Sequence, residues 1–107
     1  GPAFGNAGFF AKLAPEPIPL AIDRFRTEGN RILGTLNQIL AKQAFVAGDV
    51  LSIADIAHFG WFWRREFAGF DFTATPNLAR WYEALEARPA FQRAITRTTA
   101  LATALVF

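Results

Sequence analysis

The sequence predicts an all-α protein, a helical bundle of four to five helices. Over most of the chain apolar residues recur at steps of three and four, which is the period of one helix face. Residues typical of helix starts and ends separate these stretches, and no segment shows the strict alternation of a half-buried strand. With 107 residues, 52% of them hydrophobic, the chain is expected to form one domain with one core.

The composition excludes several classes of protein. Eleven basic against nine acidic residues leave a net charge of +2, which is too little for a nucleic-acid-binding surface. With no cysteine and one histidine, the chain is expected to bind no metal and to use no thiol chemistry of its own. No uncharged apolar run reaches about 18 residues, so no membrane-spanning segment is expected. The lack of cysteine fits a reducing compartment, and we expect a cytoplasmic protein.

Residues 1–18 are predicted to form a frayed helix end followed by a loop. Gly5 and Gly8 lower the helix propensity of this segment, and Pro15 and Pro17 forbid a regular helix interior. Because a loop is no core element by itself, its aromatic side chains are expected to pack against another part of the protein: Phe4, Phe9 and Phe10. The chain contains no methionine and begins with Gly-Pro, from which we expect a fragment or a processed product.

The helical core is predicted to span residues 19–97 and to begin with a helix over 19–43. Pro19 suits the first turn of that helix, where its missing N–H costs nothing. Two glycines interrupt the apolar face, and we expect them to let another helix approach closely: Gly29 and Gly34.

A connector over residues 43–50 leads to a capping box. The Ser52 hydroxyl can accept from the backbone N–H of Asp55, and the Asp55 carboxylate can accept from the backbone N–H of Ser52. Leu51 and Ile56 stand where a hydrophobic staple would contact across the helix start. Because capping accounts for both polar side chains, we predict for them a structural role without acid–base chemistry.

The next helix, over residues 53–68, is apolar nearly all round and is predicted to lie in the middle of the bundle. Its histidine, His58, is expected to be a hydrogen-bonded core residue, and its end at Arg64-Arg65 is expected to be solvated. The tryptophans are predicted to lie in the core or at an interface: Trp61, Trp63 and Trp81.

Two further helices are predicted before a weakly patterned tail over residues 98–107. Thr75 is the expected N-cap of the first, with Pro76 in its first turn. Pro89 ends this helix or begins the next, which is expected to be short.

Two stretches resemble the C-terminal domain of glutathione transferases: FVAGDVLSIADIA at residues 45–57 and PNLARWYEALEARPA at residues 76–90. Three more are similar to the Nu-class and yeast-prion-regulator-like branch of that family: GPAFGN at 1–6, PEPIP at 15–19 and AIDRF at 21–25.

The resemblance covers residues 1–97 and implies a protein of two domains. A thioredoxin-like N-terminal domain, absent from this chain, would bind most of the glutathione and activate its sulfur. The helical domain would add the hydrophobic wall of a pocket for a small-molecule second substrate and part of a homodimer surface. In this branch the resemblance implies glutathione-dependent disulfide reduction or transfer, with no catalytic residue in this chain, which alone should be inactive.

The resemblance also implies site residues. Arg24 stands where an arginine can meet glutathione; its alternative role is an ion pair with Glu28 one helical turn away. Four residues of the opening segment could line the second-substrate pocket, or alternatively pack between domains: Phe4, Asn6, Phe9 and Phe10.

Two other functions fit the same residues. Helical domains of this family also occur as non-catalytic scaffolding and protein-interaction modules. A third, weaker hypothesis is a free-standing helical domain that binds an apolar ligand. The sequence upstream of the first residue would discriminate between the first two, since a thioredoxin-like domain there favours an enzyme.

Overall fold

A computed structural model describes residues 1–105 of the chain. The all-α prediction is confirmed: within these residues there are six α-helices and no β-strand. A turn of π-helix, Phe9–Leu13, continues the first helix. The helices are α1 (Pro2–Gly8), α2 (Pro19–Leu40), α3 (Ile53–Trp63), α4 (Arg65–Ala68), α5 (Pro76–Glu86) and α6 (Pro89–Leu105).

The opening segment is more ordered than the predicted frayed end and loop. Residues 2–13 are helical, and Ala3, Phe4 and Ala7 are buried. The Phe4 ring stacks on Phe70 with 4.3 Å between the ring centroids. Packing of this apolar face outweighs the low helix propensity of the glycines, which is a common way for tertiary structure to override local preference.

Helix α2 places Leu33, Leu36 and Leu40 of its apolar face in the core. The expected role of its glycines is corrected. A Cβ on Gly29 would overlap the Phe70 ring, so the closest contact at this glycine is with a side chain. A Cβ on Gly34 would meet no atom within 4 Å, so no close approach occurs there.

The helix predicted over residues 53–68 is broken at Arg64, whose φ of −93° and ψ of 15° leave the helical range. The break redirects α4, so that Ala68 becomes buried and the Phe67 ring reaches α1. Gly69 then ends α4 with a φ of +84°, a left-handed conformation that favours glycine.

The start of α5 corrects a predicted cap. Thr75 occupies the N-cap position, but its side chain makes no capping hydrogen bond, and its buried hydroxyl has no partner among the described residues. Asn37 of α2 takes over this role, since its Oδ1 accepts from the backbone N–H of Asn77 at 2.9 Å and of Leu78 at 3.2 Å.

The last helix is longer than predicted. Helix α6 runs from Pro89 to Leu105, so most of the tail predicted over residues 98–107 is helical, while residues 106 and 107 lie outside the described part. Its first half packs on the core through Phe91 and Ile95.

Candidate functional site

The N-terminal end of α3 forms the capping box. The Ser52 Oγ accepts from the backbone N–H of Ala54 at 3.2 Å, and both reciprocal bonds of the box are present. The Asp55 Oδ2 accepts from the backbone N–H of Ser52 at 3.0 Å. Leu51 packs on the core whereas Ile56 is 57% exposed, so the staple contact between them stays a prediction.

Asp55 does more than close this box. Its Oδ1 accepts from the backbone N–H of Val46 at 2.9 Å and from the Trp81 indole at 2.8 Å, in a fully buried position. Burial raises the pKa of Asp55, but the hydrogen bonds from Val46, Trp81 and Ser52 together lower it by more, to below its ordinary value. The carboxylate therefore joins three parts of the chain while staying ionised.

An open cavity lies at the other end of α3, between α1, the π-helical turn and α4. Its volume is about 360 Å³. Three of its apolar side chains reach solvent: Phe9 is 43%, Leu13 63% and Trp61 44% exposed. We call it the aromatic cavity; its lining residues are Phe4, Gly5, Phe9, Leu13, Trp61, Arg64, Phe67 and Ala68.

Two of the four predicted pocket residues, Phe4 and Phe9, line this cavity. The other two are engaged elsewhere. The Asn6 side-chain amide donates to the backbone carbonyl of Pro2 at 2.9 Å. The Phe10 ring lies parallel to Phe25, with 5.8 Å between the centroids.

Sequence reasoning missed Trp61, Arg64 and Phe67 as members of this site. Trp61 and Arg64 are three residues apart, which places them on the same helix face, and this spacing was the available signal. The break at Arg64, which turns Phe67 toward α1, left no comparable signal in the sequence.

Arg24 is exposed on α2 and lines a separate cavity of about 300 Å³. The alternative role predicted for it, pairing with Glu28, is wrong. Glu28 instead forms a two-point ion pair with Arg31, at 2.7 and 2.9 Å. The hydrogen bond from Arg31 lowers the pKa of Glu28, to which Arg24 adds only a weaker charge effect. The Arg24 guanidinium makes no hydrogen bond within residues 1–105.

A second apolar depression, the α3–α6 groove, has a volume of about 340 Å³. His58 of α3 has its Nδ1 2.7 Å from the backbone carbonyl of Ala54, as the predicted hydrogen bond requires, but the residue is half-buried and not in the core. The lining residues of the groove are Ile56, Phe59, Gly60, Trp63, Ala90, Phe91, Ala94, Ile95 and Thr98.

Two negative findings apply to the described part of the chain. None of its helices is both long and apolar enough to cross a membrane. Within the same residues, no group of three or more histidine, cysteine or acidic side chains is placed to hold a metal ion.

An all-helical domain with a capped helix and open apolar cavities is the class that these observations define. The family profile of the glutathione S-transferase C-terminal domain matches residues 3–89. The chain therefore belongs to the C-terminal domain family of glutathione S-transferases, as the capping-box and Arg-Trp-Tyr stretches predicted.

Curated relatives include two disulfide-bond oxidoreductases of Escherichia coli. YfcG is 34% identical over 99 residues, covering 91% of this chain and 45% of the relative. YghU is 36% identical over 96 residues, covering 83% of this chain and 33% of the relative. The chain thus spans less than half the length of these relatives.

Solved structures agree with the branch that the opening segment indicated. The glutathione transferase URE2P6 of Phanerochaete chrysosporium, in complex with oxidized glutathione, has a TM-score of 0.85 at 31% identity, covering 94% of this chain and 47% of that one. A glutathione transferase of Burkholderia graminis, with two glutathione molecules bound per subunit, has a TM-score of 0.78 at 37% identity, covering 87% and 42%.

Proposed function

We propose that this chain is the C-terminal half of a glutathione-dependent enzyme that reduces disulfides or transfers glutathione to an apolar electrophile. The residues that line the aromatic cavity form the apolar wall of its second-substrate pocket. The observation that carries this proposal is the open, almost wholly apolar cavity with exposed side chains at Phe9, Leu13 and Trp61. Pockets of this size and character are typical of small-molecule sites.

The chain's part in the chemistry is binding and exclusion of water. A glutathione thiolate attacks one sulfur of the bound disulfide, the S–S bond breaks, and the other sulfur leaves as a thiolate. A second glutathione then resolves the mixed disulfide, which yields oxidised glutathione and the second thiol. Apolar contacts with Phe9 and Trp61 hold the substrate where this attack can occur, and lower its exposure to water.

Glutathione itself would be held mainly by a thioredoxin-like N-terminal domain. The exposed Arg24 guanidinium, which has no hydrogen bond in the described part of the chain, suits a glutathione carboxylate because it can donate two parallel hydrogen bonds. The α3–α6 groove offers an apolar surface of the kind that a second domain buries, with Ile56 57% exposed at its edge.

A homodimer and a cytoplasmic location complete the proposal. Further apolar side chains lie exposed outside both cavities, and Leu20 on α2 is 82% exposed. Surfaces of this kind favour association between copies. The absence of cysteine fits a compartment that keeps thiols reduced. Light scattering of the full-length protein checks the dimer, and a monomer at micromolar concentration would contradict it.

The test of the enzyme hypothesis is glutathione-dependent reduction of 2-hydroxyethyl disulfide by the full-length protein and by this chain alone. We expect turnover only with the N-terminal domain present. Trp61→Ala should lower kcat/KM about tenfold, because it removes much of the apolar wall. The matched control is Val50→Ala, an exposed apolar residue in the connector before α3 and outside the cavity, which should leave kcat/KM unchanged.

The same assay identifies the outcomes that contradict the proposal. Enzyme-like turnover by the isolated chain would show that the reactive group lies within residues 1–107. A full-length protein without turnover would favour the non-catalytic interaction module. Equal kcat/KM in wild type and Trp61→Ala, with unchanged thermal unfolding, would remove the cavity from the substrate site.

A further inference from the structure

The aromatic cavity has positive charge at its edge. The guanidinium carbon of Arg64 lies 5.2 Å from the centroid of the Phe67 ring, and the Lys12 ammonium lies 5.6 Å from it. The Phe67 ring is itself held in place, because it contacts the backbone at Gly8 so closely that a Cβ there would overlap it. Two cations are therefore grouped beside one aromatic side chain of the cavity wall.

No carboxylate of residues 1–105 forms an ion pair with these cations. The ion pair found in this part of the chain joins Arg31 and Glu28, and the residues lining the cavity include no acid. The Lys12 ammonium donates to the backbone carbonyl of Glu66 at 3.0 Å, which uses one of its three N–H groups. The Arg64 side chain makes no hydrogen bond to the described residues, so its guanidinium is available to a ligand.

An unpaired guanidinium beside an apolar wall defines a chemical preference. The apolar wall lowers the local dielectric constant, which strengthens attraction between Arg64 and an anion. A guanidinium also matches the geometry of carboxylate and sulfonate groups, since it can donate two parallel hydrogen bonds.

We propose that Arg64 determines the specificity of the aromatic cavity, which selects ligands with an aromatic or aliphatic body and one anionic group. The apolar body contacts Phe9 and Trp61, the anion pairs with Arg64, and Lys12 adds a second positive charge. That these ligands are substrates rests on the proposed function; the binding preference itself is measurable without turnover.

Two fluorescent dyes that share one apolar body test this preference on the chain alone. The first, 1-anilinonaphthalene-8-sulfonate, carries an anion; the second, N-phenyl-1-naphthylamine, lacks it. We expect Arg64→Gln to raise the Kd of the sulfonate dye about threefold to fivefold, as for a partly exposed ion pair, and to leave the neutral dye unchanged. Trp61→Ala should raise the Kd of both dyes, because both dyes are expected to contact the same aromatic side chains of the cavity.

The matched control is Arg93→Gln, an exposed arginine on α6 that does not line the cavity, and it should change neither Kd. An equal effect of Arg64→Gln on both dyes, or no effect on either, would overturn the proposed selection. Circular dichroism melting checks that each variant folds.

The dye experiment and the disulfide assay test the two proposals independently. Loss of sulfonate preference in Arg64→Gln, in a protein without disulfide turnover, supports the inference and contradicts the proposed enzyme. Turnover that depends on Trp61, together with dye affinities that ignore Arg64, contradicts the inference alone.

Discussion

The two ends of α3 use polar groups in opposite ways. At its start, the Asp55 carboxylate is fully buried and accepts from Ser52, Val46 and Trp81. At its end, the Arg64 guanidinium is exposed beside an open cavity and has no carboxylate partner in the described part of the chain. The start of α3 thus stabilises the fold, whereas its end has a guanidinium that is free to bind a ligand.

This difference indicates where substitutions should act. A buried acceptor with three donors cannot be removed without leaving those donors unpaired, so its loss affects stability. An exposed cation over an aromatic ring contributes little to the fold, so its loss affects ligand binding. Stability and binding are therefore expected to respond to different ends of the same helix.

The largest effect is expected from Asp55→Ala. This substitution leaves three N–H donors without their acceptor, one of them the buried Trp81 indole, and it should lower the free energy of unfolding by about 3 kcal/mol. Asp55→Asn is the matched control, because it keeps an oxygen for Val46 and Trp81 and should cost less. Urea unfolding of both variants measures the difference, and equal losses would show that the shared Oδ1 bonds contribute little.

Acid is expected to destabilise the capped start of α3. The pKa of Asp55 is lowered in the folded chain, so its stabilising effect is complete above the unfolded carboxyl pKa of about 3.9 and is lost as the pH falls through the folded pKa. We expect thermal stability to fall below about pH 4. The decline should be smaller in Asp55→Asn, which has no proton to bind; parallel curves for the two proteins would assign the decline to other acids.

A smaller effect is expected where α2 caps α5. Asn37→Ala removes the acceptor for two backbone N–H groups and should cost about 1 kcal/mol, as the loss of an N-cap does. Thr75→Val should be neutral or stabilising, because the buried Thr75 hydroxyl has no partner to lose. If thermal melts gave the opposite order, Thr75 would be the cap, as the sequence suggested.

The smallest effect on the fold is expected at the open end. Arg64→Gln removes an exposed guanidinium whose carbon lies 5.2 Å from the centroid of the Phe67 ring, and it should lower the free energy of unfolding by less than about 1 kcal/mol. Chemical denaturation measures this value. A loss as large as that of Asp55→Ala would make Arg64 essential to the fold and contradict the separation between the two ends.

Local rules predicted the capped end well and the open end poorly. Ser52 and Asp55 stand three residues apart before an apolar run, which is a signal contained in the sequence itself. The bonds from Asp55 to Val46 and Trp81 join residues 9 and 26 positions away, and no local pattern specifies them. The family resemblance named the aromatic segment, but only Phe4 and Phe9 line the cavity.

The remaining errors have a common cause. Thr75 was a sound N-cap by residue type, yet Asn37 from another helix supplied the acceptor. The break at Arg64 follows from packing of α4 on α1 and not from a helix-breaking residue. In each case a tertiary contact overrode a local preference, which a single sequence does not reveal.

The most direct test of the contrast between the two ends is a nuclear magnetic resonance titration of the indole N–H signals. S-hexylglutathione, which joins an apolar tail to a carboxylate-bearing tripeptide, is added to the chain at millimolar concentration. The Trp61 signal should shift progressively, whereas the Trp81 signal, whose N–H donates to Asp55, should stay in place. A stationary Trp61 signal, or equal shifts of both signals, would contradict a binding cavity at the end of α3.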